Sequence, residues 1–249
     1  MKKIIVLLML VLSSLAFSAK KLYVGTNAEF KPYEYLEGDK IVGFDIDLME
    51  NLGKKLGYEI KWVNMSFDGL LTSLQLKKID AVIAGMSATD ERKKAASFSI
   101  PYMFFESGHL VIVNEKSTLT SKEDLKNKTC GVQMGTIQEG FAKDLGATPK
   151  FYSSFTAALM DLQNGKVDSV IIADLAGKEY LKTMSKIKSI DVIKDTKPGA
   201  SISFRKGDEK MAEEFSKAIV EFKESSEYEE MVKKYFPERY DDFVASKKN

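Results

Sequence analysis

The sequence predicts an α/β protein made of two similar units, each a mainly parallel β-sheet flanked by helices. The first observation is an internal repeat, because residues 74–83 (LQLKKIDAVI) and 162–171 (LQNGKVDSVI) agree at six of ten positions with an offset of 88 residues. The second is the order of patterns in each unit: a strand that runs into Gly-Thr, an amphipathic helix, then a short apolar strand. This alternation is typical of parallel sheets covered by helices.

Residues 1–18 have the pattern of a secretory signal peptide. Two lysines precede nine apolar residues, 4–12, and small residues then suit cleavage after Ala16 or Ser18. Nine residues are too few to span a bilayer, which requires roughly 20. We therefore expect an exported, soluble protein. Because no cysteine follows the apolar run, we expect no lipid anchor.

Apolar spacing and breaker residues predict the remaining elements in order. Gly57 is placed to end the first helix, and Pro198 and Gly199 mark a break before the last strand. Thr136 and Glu139 have the spacing of a capping box at the start of a helix that runs to Leu145. The predicted strands are 22–26, 79–84, 111–113, 167–173 and 201–204, and the other predicted helices are 45–56, 175–182, 211–222 and 228–236.

Composition excludes several function classes. The chain has 249 residues, 37 Lys and Arg and 36 Asp and Glu, for a net charge of +1, so electrostatics gives no reason to expect nucleic acid as a partner. One cysteine and one histidine cannot build a disulfide framework or the usual Cys/His zinc site. A Cys130–His109 dyad is formally possible, although no neighbouring residue supports it. We expect no metal and no cofactor.

Two units of this kind suggest two lobes with a cleft between them, although two independent domains in series would explain the repeat equally well. In α/β sheets, ligands bind at the carboxyl ends of the strands. Four segments fall at such ends, namely 25–34, 84–92, 133–139 and 172–175.

Two of these segments could hold an anion. Gly85 lets a ligand approach the backbone, Ser87 offers a hydroxyl, and Arg92 offers a guanidinium that fits a carboxylate with two parallel bonds. The alternative is that Thr89 caps a helix from Asp90 and that Arg92 is a surface charge. The backbone N–H groups of residues 136–137 could also hold an anion, or could serve capping alone.

The other segments offer a carboxylate and aromatic rings. Asp174 could pair with an ammonium or could cap the next helix. Phe30, Tyr33 and Phe67 could sandwich a ligand or pack in the core. Gln133 could contact a polar group or lie on the sheet face. A carboxylate site opposite an ammonium site would suit a zwitterionic α-amino acid.

With these residues in view, the chain resembles the periplasmic polar amino-acid-binding proteins of ABC importers, solute-binding family 3. The resemblance covers essentially the whole chain after residue 18. It is carried by 24–34, by 43–48 (GFDIDL), by 78–102, by 131–136 (GVQMGT) and by the segment around Asp174. It implies the two-lobed type II periplasmic-binding fold, with two hinge strands that match residues near 107–112 and 196–203.

The resemblance also implies roles for individual residues. Arg92 should bind the α-carboxylate with help from Ser87 and the N–H of Ile137, next to Thr136. Asp174 should bind the α-ammonium, and Gly85 should add a backbone contact.

Specificity follows from other positions. By the same resemblance Phe30 and Phe67 should stack on the ligand side chain. Gln133 is typical of arginine-binding relatives, whereas Asn27 is neutral where relatives with basic ligands often carry an acid. We therefore expect arginine or lysine as the ligand, with glutamine as the next candidate.

An enzyme is the main alternative, because some relatives on this fold dehydrate cyclohexadienyl amino acids. Such an enzyme requires a carboxylic acid that protonates a leaving hydroxyl, and Glu29, Glu34 and Glu106 are the formal candidates.

We expect a monomeric, non-enzymatic receptor in the periplasm that passes its L-amino acid to a membrane ABC permease. The expected division is 19–109 with 199–249 for one lobe and 110–198 for the other.

Overall fold

The computed structural model describes residues 19–103 and 108–247. The predicted signal peptide at 1–18 and Glu106 lie outside these residues, as does the first residue of the hinge segment expected near 107–112.

In this part of the chain the strands and helices follow in order. The strands are β1 (Lys20–Thr26), β2 (Glu29–Phe30), β3 (Glu34–Glu37), β4 (Lys40–Val42), β5 (Tyr58–Asn64), β6 (Ala81–Val82), β7 (Ala96–Pro101), β8 (Gly108–Asn114), β9 (Thr129–Gln133), β10 (Thr148–Tyr152), β11 (Ser169–Ala173), β12 (Ile187–Lys194) and β13 (Ser201–Arg205). The helices are α1 (Phe44–Leu56), α2 (Leu70–Gln75), α3 (Asp90–Ala95), α4 (Gln138–Asp144), α5 (Phe155–Gln163), α6 (Asp174–Thr183), α7 (Glu209–Lys223), α8 (Ser226–Tyr235) and α9 (Tyr240–Ser246). Short 3₁₀ helices occupy Phe67–Gly69, Lys122–Leu125 and Pro237–Arg239.

Two five-stranded sheets form the centres of two lobes, as the sequence predicts. The first lobe contains the sheet β5-β1-β6-β13-β7, and the second contains the sheet β10-β9-β11-β8-β12. Helices α1, α2, α3, α7 and α8 accompany the first sheet, and helices α4, α5 and α6 pack on the second. A small antiparallel sheet, β2-β3-β4, lies against α1 in the first lobe.

Both sheets are mainly parallel, with one antiparallel strand each. In the first sheet that strand is β13, which pairs antiparallel with β6 and with β7. In the second it is β8, which pairs antiparallel with β11 and β12. Strand β8 follows the link from β7, and β13 follows the link from β12. The reversed strand in each sheet is therefore the one that arrives from the other lobe.

Amphipathic patterning explains the helices that the sequence predicts. Helix α1 buries Leu48, Met49 and Leu52 at helical spacing and ends at Gly57, which adopts the left-handed conformation with a φ of 77°. Helix α7 buries Phe215, Ala218, Ile219 and Phe222 in the same way. The predicted strand at 79–84 is shorter, because only Ala81 and Val82 pair with neighbours in the ladder.

The predicted capping box is wrong. Helix α4 begins at Gln138, and its capping position, Ile137, makes no side-chain hydrogen bond to the helix. The Thr136 hydroxyl instead donates to the carbonyl of Gln133 at 2.7 Å and closes the preceding turn. Thr89, by contrast, does cap α3, because its hydroxyl accepts from the N–H of Arg92 at 3.3 Å.

The possible Cys130–His109 dyad is also absent from the structure. Cys130 is buried, and its thiol donates to the carbonyl of Gly131 at 3.8 Å. Burial raises the pKa of this thiol to about 11, as expected for a small apolar core residue. Among residues 19–103 and 108–247, no helix combines the length and the apolar character that crossing a bilayer demands.

Candidate functional site: a cavity between the lobes

A cavity of about 460 Å³ lies between the two lobes, where the strands of both sheets end. Residues after β1 and β6 form the wall on the first lobe, and residues after β9 and β11 form the wall on the second. Residues 195–200 of the second link complete the wall. Nine of the ten predicted binding residues line this cavity, namely Asn27, Phe30, Phe67, Gly85, Ser87, Arg92, Gln133, Thr136 and Ile137.

Arg92 reaches across the cavity from the first turn of α3. One guanidinium nitrogen donates to the carbonyl of Ser87 at 3.0 Å, and the other donates to the carbonyl of Gly135, in the second lobe, at 2.9 Å. The guanidinium also lies 5.4 Å from the ring centroid of Phe67, close enough for a cation–π contact. Its two hydrogen bonds therefore end on neutral carbonyls, and the charge that acts on it is that of Glu91, an exposed neighbour on the same helix.

Burial is the main cause of the lowered pKa of Arg92, which falls to about 10. The guanidinium thus stays protonated at neutral pH. A carboxylate that entered the cavity could accept two parallel hydrogen bonds from it.

Asn27 and Gln133 meet directly across the cavity. The Gln133 amide donates to the side-chain oxygen of Asn27 at 3.0 Å and to the carbonyl of Ser153 at 3.3 Å. The Asn27 amide in turn donates to the carbonyl of Met65 at 3.0 Å. Both side chains are buried, so this pair joins the end of β9 to the end of β1.

Phe30 forms an aromatic wall that both lobes share. Its ring stacks on Tyr33 at 5.0 Å between centroids and on Phe155 of the second lobe at 6.1 Å. Gly85 has a φ of 56°, and a Cβ at that position would lie 2.9 Å from the Phe30 ring. Glycine is therefore required at position 85 both for the backbone conformation and for the close approach of the ring. The sequence did not single out Phe155 as a cavity residue, although the internal repeat aligns it with Phe67 at the offset of 88 residues.

Ser87, Thr136 and Ile137 complete the polar wall near Arg92. Ser87 is buried, and its backbone forms an isolated β-bridge with Ala200 of the second link. This bridge fixes the loop that leads into α3 against the boundary between the lobes.

Asp174 is the predicted residue that the structure does not bring into the cavity. Its neighbour Ala173 lines the wall, but the Asp174 carboxylate accepts from Arg239 at 3.2 Å and from the N–H of Leu175 at 2.8 Å. It is not the helix cap either, because α6 begins at Asp174 and its capping position is Ala173. The expectation of an ammonium-binding carboxylate at this position is therefore not met in this conformation, since a charged partner from the first lobe already occupies it.

Glu34, named above only as a formal catalytic acid, pairs with a second buried carboxyl group, Asp45, that the sequence did not single out. Glu34 lines the cavity and is 1% exposed, and Asp45, in the first turn of α1, is fully buried. Asp45 Oδ2 accepts from the N–H of Gly85 at 2.9 Å and from the Tyr102 hydroxyl at 2.7 Å. Asp45 therefore holds the Gly85 turn in place, while Glu34 brings a carboxyl group to the cavity.

Burial shifts both carboxyl groups in the same direction. It raises the pKa of Asp45 to about 6, and burial together with the nearby Asp45 raises the pKa of Glu34 well above its usual value. Of the other two acids considered for an enzyme, Glu29 is exposed and does not line the cavity, and Glu106 lies outside the described residues.

His109 lies at the end of the cavity next to the links. Its two ring nitrogens lie 3.1 Å from Asp195 Oδ2 and 3.2 Å from the side-chain nitrogen of Gln138. All three side chains line the cavity. The contact between His109 and Asp195 ties the start of β8 to the second link, so it connects the two paths between the lobes.

Comparison with known proteins agrees with this architecture. The model of the bacterial extracellular solute-binding proteins, family 3, matches residues 22–238. The arginine-binding extracellular protein ArtP of Bacillus subtilis (strain 168) is 40% identical over 224 residues, which cover 87% of this chain and 86% of that protein. The probable histidine-binding protein of Campylobacter jejuni is 37% identical over 216 residues, which cover 86% and 84% of the two chains. An ancestral arginine-binding protein, solved with arginine bound, has a TM-score of 0.80 at 37% identity and covers 88% of this chain and 99% of its own.

Proposed function

The chain belongs to family 3 of the bacterial extracellular solute-binding proteins, and we propose that it captures a cationic L-amino acid, arginine or lysine, for an ABC permease. One observation carries the proposal. A single interlobe cavity holds both the Arg92 guanidinium, whose two hydrogen bonds end on neutral carbonyls, and a buried carboxyl group, on Glu34. An amino acid with a basic side chain presents the complementary charges, a carboxylate at one end and a cation at the other.

The carboxylate end is assigned to Arg92. Its two outward nitrogens already reach acceptors at 3.0 and 2.9 Å, so the side chain is extended in the geometry that a carboxylate would need. Ser87 and the N–H of Ile137 line the same wall and would supplement these bonds, next to Thr136. The Gly85 carbonyl is the acceptor that we assign to the α-ammonium, and Asp174 is not assigned to the ligand.

The side-chain end is assigned to the aromatic wall and the carboxyl pair. Phe30 and Phe67 supply flat apolar surfaces for the aliphatic stem. Glu34 supplies the carboxyl group that a basic side chain would approach. Two of the compared proteins bear names or titles that specify arginine and one is named for histidine, which fits a ligand with a basic side chain.

Closure of the two lobes over the ligand is part of the proposal. The boundary expected at 109/110 moves, because Gly108 and His109 belong to β8 and pair within the second sheet. We assign 19–103 with 199–249 to one lobe and 108–198 to the other, hinged at the two links. The mature protein is proposed to be a periplasmic monomer released from residues 1–18, in keeping with a family described as extracellular.

Calorimetry on unfolded and refolded protein tests the ligand, because refolding removes any amino acid that co-purifies. We expect arginine or lysine to bind and glutamine to bind more weakly. Tight glutamine binding with no heat from arginine or lysine would overturn the assignment of a cationic ligand.

Catalysis on the same fold is the second candidate, and one observation favours it. Glu34 lines the cavity with a raised pKa, which is the property a general acid requires. Incubation with arogenate or prephenate, followed by ultraviolet absorbance of the aromatic product, tests it. We expect no product, because the compared relatives are binding proteins by name.

A further inference from the structure

Glu34 and Asp45 have an unequal supply of hydrogen-bond donors. Asp45 Oδ2 receives two donors, at 2.9 and 2.7 Å. Asp45 Oδ1 and Glu34 Oε2 are buried, and nothing in the part of the chain that the structure describes donates to either. Buried carboxyl oxygens without a donor are costly, so these two atoms require an explanation.

One proton explains both atoms. The backbone N–H of Asp45 donates to the carbonyl of Tyr33 at 2.9 Å, which holds Asp45 beside Glu34. Each carboxyl group is a hydrogen-bond partner of the other, so a proton on one of them donates to the other. Two carboxylates this close in an apolar surrounding cannot both be ionised, as in carboxyl dyads that share a proton. The raised pKa values of Glu34 and Asp45 agree with this geometry, and the pair retains one proton and one negative charge at neutral pH.

Within residues 19–103 and 108–247, no cation donates to Asp45 or to Glu34 Oε2. Tyr33 and Tyr102 pack directly against it, and both are buried and neutral at neutral pH. The Asp174 carboxylate and Arg239 lie beyond Tyr33 and bond to each other. The remaining titratable and charged groups of the cavity wall are Arg92, His109, Asp195 and Lys197.

We propose that the Glu34–Asp45 pair receives the cationic end of the ligand's side chain and releases its shared proton when that cation binds. The inference rests on the proposed function, because it takes a basic amino acid as the ligand. A guanidinium or ammonium brings both positive charge and N–H donors, so it can replace the proton at Glu34, the member of the pair that lines the cavity. The proton passes to solvent, and no other bond is made or broken.

The proposal separates ligands by charge rather than by size. Citrulline has nearly the shape of arginine but carries a neutral urea group, so it brings donors without the charge that replaces a proton. Its binding should leave the carboxyl pair protonated. A neutral side chain therefore binds without proton release, and a basic side chain binds with it.

Calorimetry in buffers of different ionisation enthalpy measures the released proton directly. At one neutral pH, the observed heat of arginine binding should change with the buffer's ionisation enthalpy, with a slope of about one proton per arginine. Citrulline should give a slope near zero. As the pH falls from about 7.5 to about 5.5, the Kd for arginine should rise by roughly tenfold per pH unit, and the Kd for citrulline should stay constant.

Glu34→Gln supplies the matched variant, because the amide keeps the shape and can donate to Asp45. We expect its arginine affinity to fall by about 10- to 100-fold, with no proton release and no change for citrulline. Glu37→Gln, at an exposed position of the same strand, should behave as the wild type. If Glu34→Gln does not fold, the comparison of arginine with citrulline on the wild type still decides the question.

The outcomes distinguish failure of proton release from failure of the proposed function. Arginine binding with the same heat in every buffer and a pH-independent Kd would overturn proton release and leave the proposed function intact. Proton release that persists in Glu34→Gln would assign it to another group and overturn the role of the pair. No binding of arginine or lysine would overturn the proposed function itself.

Discussion

Replacement of Arg92 by alanine should remove most of the affinity for an amino acid. In the structure the guanidinium makes two hydrogen bonds at once, at 3.0 and 2.9 Å, to carbonyls on opposite lobes. In the complex the same two nitrogens would hold the two oxygens of a carboxylate. Each charge-assisted bond contributes about 1.5–3 kcal/mol, so the loss of both weakens binding by at least about 3 kcal/mol, or roughly 100-fold in Kd.

Titration calorimetry and thermal melts measure this loss independently. A ligand at 100 times its Kd stabilises the folded protein by about 2.7 kcal/mol, which raises the Tm of a chain of this size by roughly 5–10 °C. The same ligand concentration would equal the Kd of a variant that binds 100-fold more weakly. The remaining stabilisation is then about 0.4 kcal/mol, a shift of roughly 1 °C.

Two further variants separate charge from geometry. Arg92→Lys keeps a positive charge but loses the planar fork, so its affinity should lie between those of the wild type and Arg92→Ala. Lys94→Ala removes a charge from an exposed position of the same helix and should leave binding unchanged. Equal affinity of Arg92→Ala and Lys94→Ala would refute the assignment of the carboxylate to Arg92.

Three other variants test the cavity wall. In urea denaturation, Gly85→Ala should lose about 1–3 kcal/mol more free energy of unfolding than Gly38→Ala loses. Both glycines have a positive φ, but only at position 85 does the added carbon lie 2.9 Å from an aromatic ring. Asp174→Asn should lower the Tm, because it weakens the ion pair between Asp174 and its arginine partner. It should change the Kd by less than about twofold, since the carboxylate does not line the cavity. A large loss of affinity without a loss of Tm would show that Asp174 binds the ligand. Glu34→Gln should flatten the pH dependence of the free energy of unfolding. A raised pKa in the folded state stabilises the wild type at and below the ordinary carboxyl range, and that contribution is lost as the pH rises from this range toward the raised folded pKa of Glu34. The wild type should therefore lose roughly 1.4 kcal/mol per pH unit relative to the variant across that window, and parallel curves would contradict the shared proton.

Sequence periodicity was sufficient to predict the central strands of both sheets and the longer helices, because their core faces repeat at 3.6 or 2 residues. It was insufficient where a few hydrogen bonds decide the outcome. Thr136 and Glu139 have capping-box spacing, yet Gly135 adopts a φ of 78° and the Thr136 hydroxyl turns back to Gln133. The helix then begins one residue later than the capping box predicts, at Gln138.

The cavity could be predicted in part for a geometric reason. The carboxyl ends of parallel strands meet at one edge of a sheet, so side chains after β1, β6 and β9 were expected to converge. The carboxyl pair has no such rule. Glu34 belongs to a hairpin strand and Asp45 to a helix, and in the sequence each looks like an ordinary surface charge. The two come together because the small sheet packs on α1. The position of Asp174 likewise depends on Arg239, 65 residues further along the chain.

The contacts between the lobes divide into two sets with different consequences for binding. The Gln133–Asn27 bond at 3.0 Å lies inside the cavity, where a ligand would replace or share it. The ion pair between Lys31 and Glu179, at 3.1 Å, also joins the two lobes but does not line the cavity. A ligand shifts the balance between open and closed lobes only through contacts that differ between those states, so the outer pair favours closure equally for every ligand. Lys31→Ala should therefore weaken arginine and lysine by the same factor, about twofold to fivefold for an exposed pair, while Gln133→Ala changes their ratio. Calorimetry with both ligands tests this, and a change of the arginine-to-lysine ratio in Lys31→Ala would show that the outer pair senses the ligand.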